Sequence, residues 1–362
     1  MKLIKIINSI VIIILSLSIL LILGSVSIKL TTNYNDNENL ILASKILLII
    51  GIILFSLSIV EIILAFILQK VKNKKKVNIN RVEKKEENME NYKLYNGVLI
   101  PKIGLGTWQS AYDDCYNACL CALKCGYRHI DTALVYENEG AVGKALEDSG
   151  LKREEVFITT KLPAEFKGYE ITKEKFNESL KNLKTDYIDL YLIHAPWPWS
   201  DQGGDYEKGN IESWKAMIEL YNEGKIKAIG VSNFNKEQIE SLIKATGVKP
   251  MVNQIRYFIG NTQDEITKYC QENDILVEAY SPLATGELLS KDILNNIAKK
   301  YNTTISQVCL DFCLKNNTLP LPKSIHEERI IDNLTIKIDL KEEDMEELNK
   351  LYHIGSTRKY RS

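Results

Sequence analysis

Four residues that can move or orient a proton lie at or just beyond the ends of three successive predicted strands. Asp131, Lys161 and His194 each end one strand, and Tyr136 follows Asp131 by five residues. An ammonium beside a phenol stabilises the phenolate, so a lysine held by a carboxylate eases proton release from a tyrosine, which ordinarily titrates near pH ~10. The set predicts that Tyr136 donates a proton to a carbonyl oxygen as hydride reaches the carbon, while His194 orients that oxygen.

Each of these side chains also has a structural interpretation. Asp131 and Lys161 are compatible with a structural ion pair, Tyr136 with a half-exposed loop aromatic, and His194 with a buried core histidine. Their joint placement at three successive strand ends favours the catalytic interpretation.

Eight short segments of strand character alternate with amphipathic helical stretches after Tyr92. The predicted strands are Ile103–Thr107, His129–Thr132, Val156–Lys161, Tyr187–His194, Ala228–Ser232, Val252–Ile255, Ile275–Tyr280 and Thr318–Pro322. This repetition predicts an α/β fold, a (β/α)8 TIM barrel, in which catalytic groups gather at the carboxyl ends of the strands. A dinucleotide-binding doubly wound sheet is disfavoured, because Gly104 and Gly106 are not followed by the rest of a GxGxxG fingerprint.

A β-hairpin is predicted immediately before the barrel. The segment 93–100 contains Asn96 and Gly97, which favour the two positive-φ positions of a type I′ turn.

Two apolar runs precede this hairpin. They cover about residues 6–28 and 46–68, and each is long enough to span a bilayer as a helix. Lysines flank the pair on its outer sides, whereas residues 31–39 contain no Lys or Arg, which places both ends in the cytoplasm. The sequence therefore predicts a transmembrane hairpin in residues 1–69, a charged linker in 70–91, and a membrane-anchored catalytic domain, 92–362, facing the cytoplasm. The roles of the hairpin and of Glu61 within it stay open.

The composition gives no general electrostatic attraction to an acidic partner. Lys and Arg total 46 against 47 Asp and Glu, so no nucleic-acid partner is predicted. The seven cysteines lack CxxC spacing and an accompanying histidine, which favours buried thiols in a reducing compartment over a metal site.

A series of motifs resembles the aldo-keto reductase family. In chain order these are GYRHIDTA, YxNE, ITTKL, LIH, GVSNF, NQ, AYSPL and LPKS, and they extend over nearly all of residues 92–361. The resemblance implies a metal-independent barrel enzyme that uses NADPH to reduce an aldehyde or ketone to an alcohol. It also implies that Asp131, Tyr136, Lys161 and His194 form a catalytic tetrad.

The same resemblance implies a cofactor site and a substrate site. Ser232, Asn233 and Gln254 would hold the nicotinamide carboxamide, Tyr280 would stack on the ring, Thr107 and Trp108 would flank cofactor and substrate, Lys323, Ser324 and Arg329 would bind the 2′-phosphate, and Asp332 and Asn333 would contact the adenine. The substrate is expected to meet Trp108, His194 and Trp197.

Two departures from the family pattern lie near the expected substrate pocket. Ala195 occupies a position where many relatives carry Trp, and residues 255–258 read Ile-Arg-Tyr-Phe. The physiological substrate therefore stays open, as do the reaction direction, the oligomeric state and the strength of the NADPH preference. An alternative function is a membrane-associated, NADPH-binding redox sensor or regulatory subunit that acts through a partner protein.

Overall fold

The computed structural model describes residues 91–352 as one continuous stretch. It also describes residues 19–20, 24, 42, 45–46, 48–53, 55–56 and 59, all of them helical. The chain divides into two compact units, Met1–Lys84 and Lys85–Ser362. The description below concerns the second unit.

A short antiparallel hairpin opens this unit. Strand β1 (Asn91–Lys93) pairs with β2 (Leu99–Pro101), with Tyr92 opposite Ile100. The hairpin is confirmed but the predicted type I′ turn is wrong. The Gly97 amide donates to the Leu94 carbonyl at 2.8 Å, and φ is positive at Gly97 but not at Asn96. The loop is thus longer than two residues and needs a single left-handed position.

Eight parallel strands form the barrel predicted from the sequence. They are β3 (Leu105–Gly106), β4 (His129–Asp131), β5 (Phe157–Leu162), β6 (Ile188–Ile193), β7 (Ile226–Ser232), β8 (Val252–Arg256), β9 (Leu276–Tyr280) and β10 (Thr318–Leu321). Each pairs with the next in chain order. The amides of Gly104 and Gly106 donate to the carbonyls of Pro320 and Pro322 at 3.2 and 3.1 Å, which joins the first strand segment to the last and closes the sheet.

Helices alternate with these strands along the described stretch 91–352. They are α1 (Tyr112–Cys125), α2 (Glu139–Ser149), α3 (Tyr169–Leu183), α4 (Glu207–Asn222), α5 (Lys236–Thr246), α6 (Asp264–Glu272), α7 (Asp292–Lys300), α8 (Ile305–Lys315), α9 (Glu327–Leu334) and α10 (Glu342–Asn349). Strands β5 and β6 are buried along their whole length, as expected for strands packed between helices and barrel interior.

No helix within the described residues combines the length and the apolar character needed to cross a bilayer. Most of the two apolar runs, 6–28 and 46–68, and of the linker 70–91 lies outside the described residues. A membrane span requires about 20 residues of continuous helix, and an apolar run in a sequence is only a candidate for one. The finding contradicts the prediction of a membrane-anchored protein whose catalytic domain faces the cytoplasm.

Candidate active site

The four predicted catalytic side chains meet at the carboxyl ends of three neighbouring strands. Asp131 is the last residue of β4, Lys161 lies near the end of β5, and His194 follows β6 directly. Tyr136 closes the 3-10 helix Leu134–Tyr136 that follows β4.

Lys161 is a buried cation with a full set of acceptors. Its side chain has no exposed surface. The ammonium donates to both carboxylate oxygens of Asp131, at 2.7 and 2.9 Å, and to the carbonyl oxygen of Thr132 at 2.9 Å. Three acceptors match the three N–H groups of a lysine, so the buried charge is compensated. These bonds hold Nζ 5.2 Å from the centroid of the Tyr136 ring.

Tyr136 and His194 present polar atoms to the same cavity. The Tyr136 hydroxyl lies 3.4 Å from His194 Nε2, and the two rings meet edge to face. Burial, with the charges of Lys161 and Lys167 nearby, holds the pKa of His194 well below its ordinary value. His194 is therefore neutral at neutral pH, and a neutral imidazole has one N–H to donate and one nitrogen to accept.

A second buried polar layer lies next to the Lys161–Asp131 pair. The side-chain amide of Gln254, from β8, donates to Asp131 Oδ2 and to Glu278 Oε2, both at 2.8 Å. Glu278 comes from β9 and is fully buried. Its Oε1 lies 4.0 Å from Nε2 of His129. Burial, and then the negative charge of Asp131, raises the pKa of Glu278 to about 8.

One cavity connects most of the predicted catalytic and cofactor residues, although Lys161 does not line it. Its volume is about 1120 Å³. Of the predicted residues it is lined by Trp108, Asp131, Tyr136, His194, Ser232, Asn233, Gln254, Tyr280, Lys323, Ser324, Arg329, Asp332 and Asn333. Thr107 is not part of this lining. It is buried behind it, where Oγ1 donates to the Asp131 carbonyl oxygen at 3.1 Å.

A chain of hydrogen bonds fixes the polar residues in the middle of the cavity. The Ser232 hydroxyl donates to the Gln254 carbonyl oxygen at 2.8 Å. The Asn233 amide donates to the His194 carbonyl oxygen at 3.1 Å, and the Tyr280 hydroxyl donates to Asn233 Oδ1 at 2.9 Å. Positive φ at Asn233 (61°) accompanies its position directly after β7. These residues therefore have fixed orientations before any ligand binds.

The end of the cavity next to β10 carries two cationic side chains. Lys323 and Ser324 lie in the loop after β10, and Arg329 lies in α9. The Lys323 ammonium donates to the Gln109 carbonyl oxygen at 3.4 Å. Two cations and a hydroxyl form a donor set that suits a phosphate group, although Glu328 also lines this end.

Aromatic rings surround the Tyr136 end of the cavity. Trp108 and Trp199 line it together with Tyr136, and the Trp199 ring meets His194 edge to face at 5.6 Å. Trp197 does not line the cavity; its ring packs against Trp199 at 5.3 Å. An indole ring therefore lies beside His194 although position 195 is alanine, because Trp199 supplies it from later in the same loop.

Three residues near the site were not among the predicted site residues. Trp199 is one of them. Two tryptophans follow Ala195 closely in the sequence, and the prediction chose Trp197. Glu278 is another, and a charged residue inside an otherwise apolar strand was the available signal. Lys167, after β5, donates to the Ala195 carbonyl oxygen at 2.5 Å, and burial lowers its pKa to about 7. No sequence pattern marked it out.

Comparison with known proteins agrees with this geometry. A sequence model of the Aldo/keto reductase family matches residues 102–353. Glyoxal reductase of Bacillus subtilis is 44% identical over 261 residues, covering 72% of this chain and 91% of that protein.

Solved structures of similar proteins show the same fold. An aldo/keto reductase from Brucella melitensis superposes with a TM-score of 0.69 at 42% identity, covering 73% of this chain and 98% of that chain. A Bombyx mori aldo-keto reductase, solved in complex with NADP, gives a TM-score of 0.68 at 32% identity over 75% of this chain and 95% of that one. The prediction of a barrel oxidoreductase is confirmed, and the chain belongs to the aldo/keto reductase family.

Proposed function

We propose that this protein uses NADPH to reduce short aldehydes or ketones to alcohols, with Tyr136 as the general acid. The observation that carries the proposal is the placement of the buried Lys161 ammonium. It is paired with Asp131 and lies 5.2 Å from the Tyr136 ring centroid. An ammonium at this position favours the phenolate that remains after proton donation.

The cavity fits NADPH by the chemistry of its donors. The hydroxyl and amides of Ser232, Asn233 and Gln254 suit a carboxamide, while Lys323 and Arg329 suit a phosphate. The bound cofactor supplies the hydride for the carbonyl carbon. The proposed catalytic domain is residues 92–362.

Each member of the tetrad has a separate task. Tyr136 gives its hydroxyl proton to the carbonyl oxygen, and Lys161 stabilises the resulting phenolate. Asp131 holds the ammonium in place through its two carboxylate contacts. His194 is neutral, so its Nε2 orients the carbonyl oxygen by a hydrogen bond without competing as an acid. A proton from water then restores Tyr136.

The substrate class follows from the aromatic end of the cavity and from the relatives. This end of the cavity is lined by the aromatic rings of Trp108, Trp199 and Tyr136, which suit a small substrate with an apolar body. The similarity to a glyoxal reductase favours short dicarbonyl compounds. The alternative function, a regulatory subunit at a membrane, depended on the membrane hairpin, and none of the comparisons supports it.

The test compares the full-length protein with Tyr136→Phe. NADPH consumption is followed with glyoxal, methylglyoxal and a panel of simple aldehydes, and NADPH binding is measured separately by fluorescence. We expect kcat to fall by about 10²-fold or more, because a general acid contributes this much, while the Kd for NADPH stays the same. Equal turnover by the two proteins would show that Tyr136 is not the acid.

A further inference from the structure

The side-chain amide of Gln254 is held in one of its two possible orientations. Its nitrogen lies 2.8 Å from Asp131 Oδ2 and 2.8 Å from Glu278 Oε2. Exchanging the nitrogen and the oxygen of this amide would bring an oxygen to 2.8 Å from two carboxyl oxygens. Asp131, already paired with the Lys161 ammonium, cannot serve as a donor to that oxygen.

The amide oxygen of Gln254 is the atom left for the cavity. Gln254 lines the cavity, and its Oε1 accepts no hydrogen bond from any residue that the structure describes. Since both N–H groups are used on the buried side, the side chain can offer only an acceptor to a ligand.

Glu278 belongs to this buried hydrogen-bonded group but has no assigned role in the proposed reaction. It is fully buried on β9, and three groups surround it: Asp131 and Lys161 contribute charge, and His129 Nε2 lies 4.0 Å from Oε1. His129 is neutral, because burial and the Lys161 charge lower its pKa to about 3. Among the residues that the structure describes, Glu278 therefore has no cationic partner of its own, and burying its carboxyl group is costly unless that group accepts a hydrogen bond from a neighbour.

From this geometry we infer that Glu278 is a positioning residue for the cofactor. Together with Asp131 it fixes the Gln254 amide so that Oε1 faces the cavity, where it accepts a hydrogen bond from the N–H₂ of the nicotinamide carboxamide. The inference rests on the proposed function, since it requires that NADPH binds in this cavity. Glu278 itself does not touch cofactor or substrate.

The choice of variants follows from what Gln254 needs. Glu278→Gln keeps an acceptor oxygen of the same size, whereas Glu278→Met keeps the volume and removes the acceptor. In Glu278→Met the second N–H of Gln254 loses its partner, and the amide is then held by its bond to Asp131 alone. Glu139→Gln is the matched control, because Glu139 is also buried and hydrogen-bonded, to Thr160 and Asn182, but does not line the cavity.

The readout is equilibrium binding of two ligands, measured by fluorescence titration without turnover. One is NADP⁺ and the other is its acetylpyridine analogue, in which a methyl ketone replaces the carboxamide and no N–H is available. We expect Glu278→Met to weaken NADP⁺ binding by about 10-fold, the value of one hydrogen bond, and to leave binding of the analogue unchanged. Glu278→Gln and Glu139→Gln should bind both ligands as the unaltered protein does.

Two results would overturn the inference. One is unchanged NADP⁺ affinity in Glu278→Met; the other is an equal loss for both ligands, which would mean that Glu278 supports only the general structure. Failure of the proposed function looks different: either the unaltered protein binds neither NADP⁺ nor NADPH, or it binds them and does not reduce carbonyl compounds.

Discussion

The proposed chemistry of the site depends on one ammonium whose side chain has no exposed surface. Lys161 has three acceptors, two from Asp131 and one from the Thr132 backbone. Breaking a buried ion pair by removing one partner typically costs about 3–5 kcal/mol, because the remaining charge is left without compensation. The proposed mechanism therefore makes both stability and catalysis depend on Lys161, and the two effects can be separated.

Comparing Lys161→Met with the double variant Lys161→Met/Asp131→Asn separates the effect on stability from the effect on catalysis. The single variant should lose about 3–5 kcal/mol in free energy of unfolding, measured by urea denaturation, since the Asp131 carboxylate stays buried without its cation. The double variant should regain much of this loss. In both variants kcat should fall by about 10²-fold or more, because the phenolate of Tyr136 is no longer stabilised. Recovery of kcat in the double variant would contradict the role given to the ammonium.

At the scale of single residues, the sequence was enough to predict those whose side-chain type suits proton transfer. Asp131, Tyr136, Lys161 and His194 could be placed because each follows or ends a recognisable strand. Trp199 and Glu278 could not, since their positions depend on how a loop folds back and on which face of β9 points into the barrel. Contacts between distant strands leave no periodic signal in a single sequence.

At the scale of elements, close helix packing depends on glycine at particular positions. In α2, a Cβ on Gly143 would lie 2.5 Å from the Leu183 carbonyl oxygen at the end of α3. A Cβ on Gly140, one turn earlier in the same helix, would lie 3.4 Å from Cε2 of Tyr112, an ordinary contact. Both positions are glycines in the same helix, so they differ only in the atoms that an added Cβ would meet.

Gly143→Ala and Gly140→Ala should therefore change stability in opposite directions. Gly143→Ala must separate α2 from the α3 backbone, and we expect a loss of about 1–3 kcal/mol, as for other overpacked sites. Gly140→Ala should be neutral or stabilising by up to about 1 kcal/mol, because alanine is the better helix former. Thermal and urea denaturation measure both changes. Equal effects from the two substitutions would show that the short approach to Leu183 does not limit the packing.

The strands were predictable because parallel strands buried on both faces form short continuous apolar segments. The predicted strand 187–194, for example, corresponds to β6 (Ile188–Ile193). The hairpin turn was less predictable, since Asn-Gly is compatible with several loops and here only Gly97 has positive φ. The prediction of a membrane-anchored protein was wrong: within the described residues no helix is long and apolar enough to cross a bilayer, and an apolar run indicates only a candidate span.

For the molecule as a whole, two buried ionisable groups tie stability to pH in opposite directions. The pKa of Glu278 rises from 4.5 to about 8 on folding, so the folded state binds the extra proton between these values. Its contribution to stability is complete below pH 4.5 and is lost as pH rises to about 8. The pKa of Lys167 falls from 10.5 to about 7, so its contribution is complete above 10.5 and is lost as pH falls to about 7.

Glu278→Gln and Lys167→Met should therefore show opposite pH dependences when each is compared with the unaltered chain. Relative to Glu278→Gln, the unaltered protein should lose stability between pH 4.5 and about 8, with a slope of at most about 1.4 kcal/mol per pH unit. Relative to Lys167→Met, it should gain stability between about 7 and 10.5. Urea denaturation across both windows measures the differences, and the subtraction removes every titrating group that the proteins share. A difference for Glu278→Gln that stays constant with pH would mean that this carboxyl has the same proton affinity in the folded and unfolded chains.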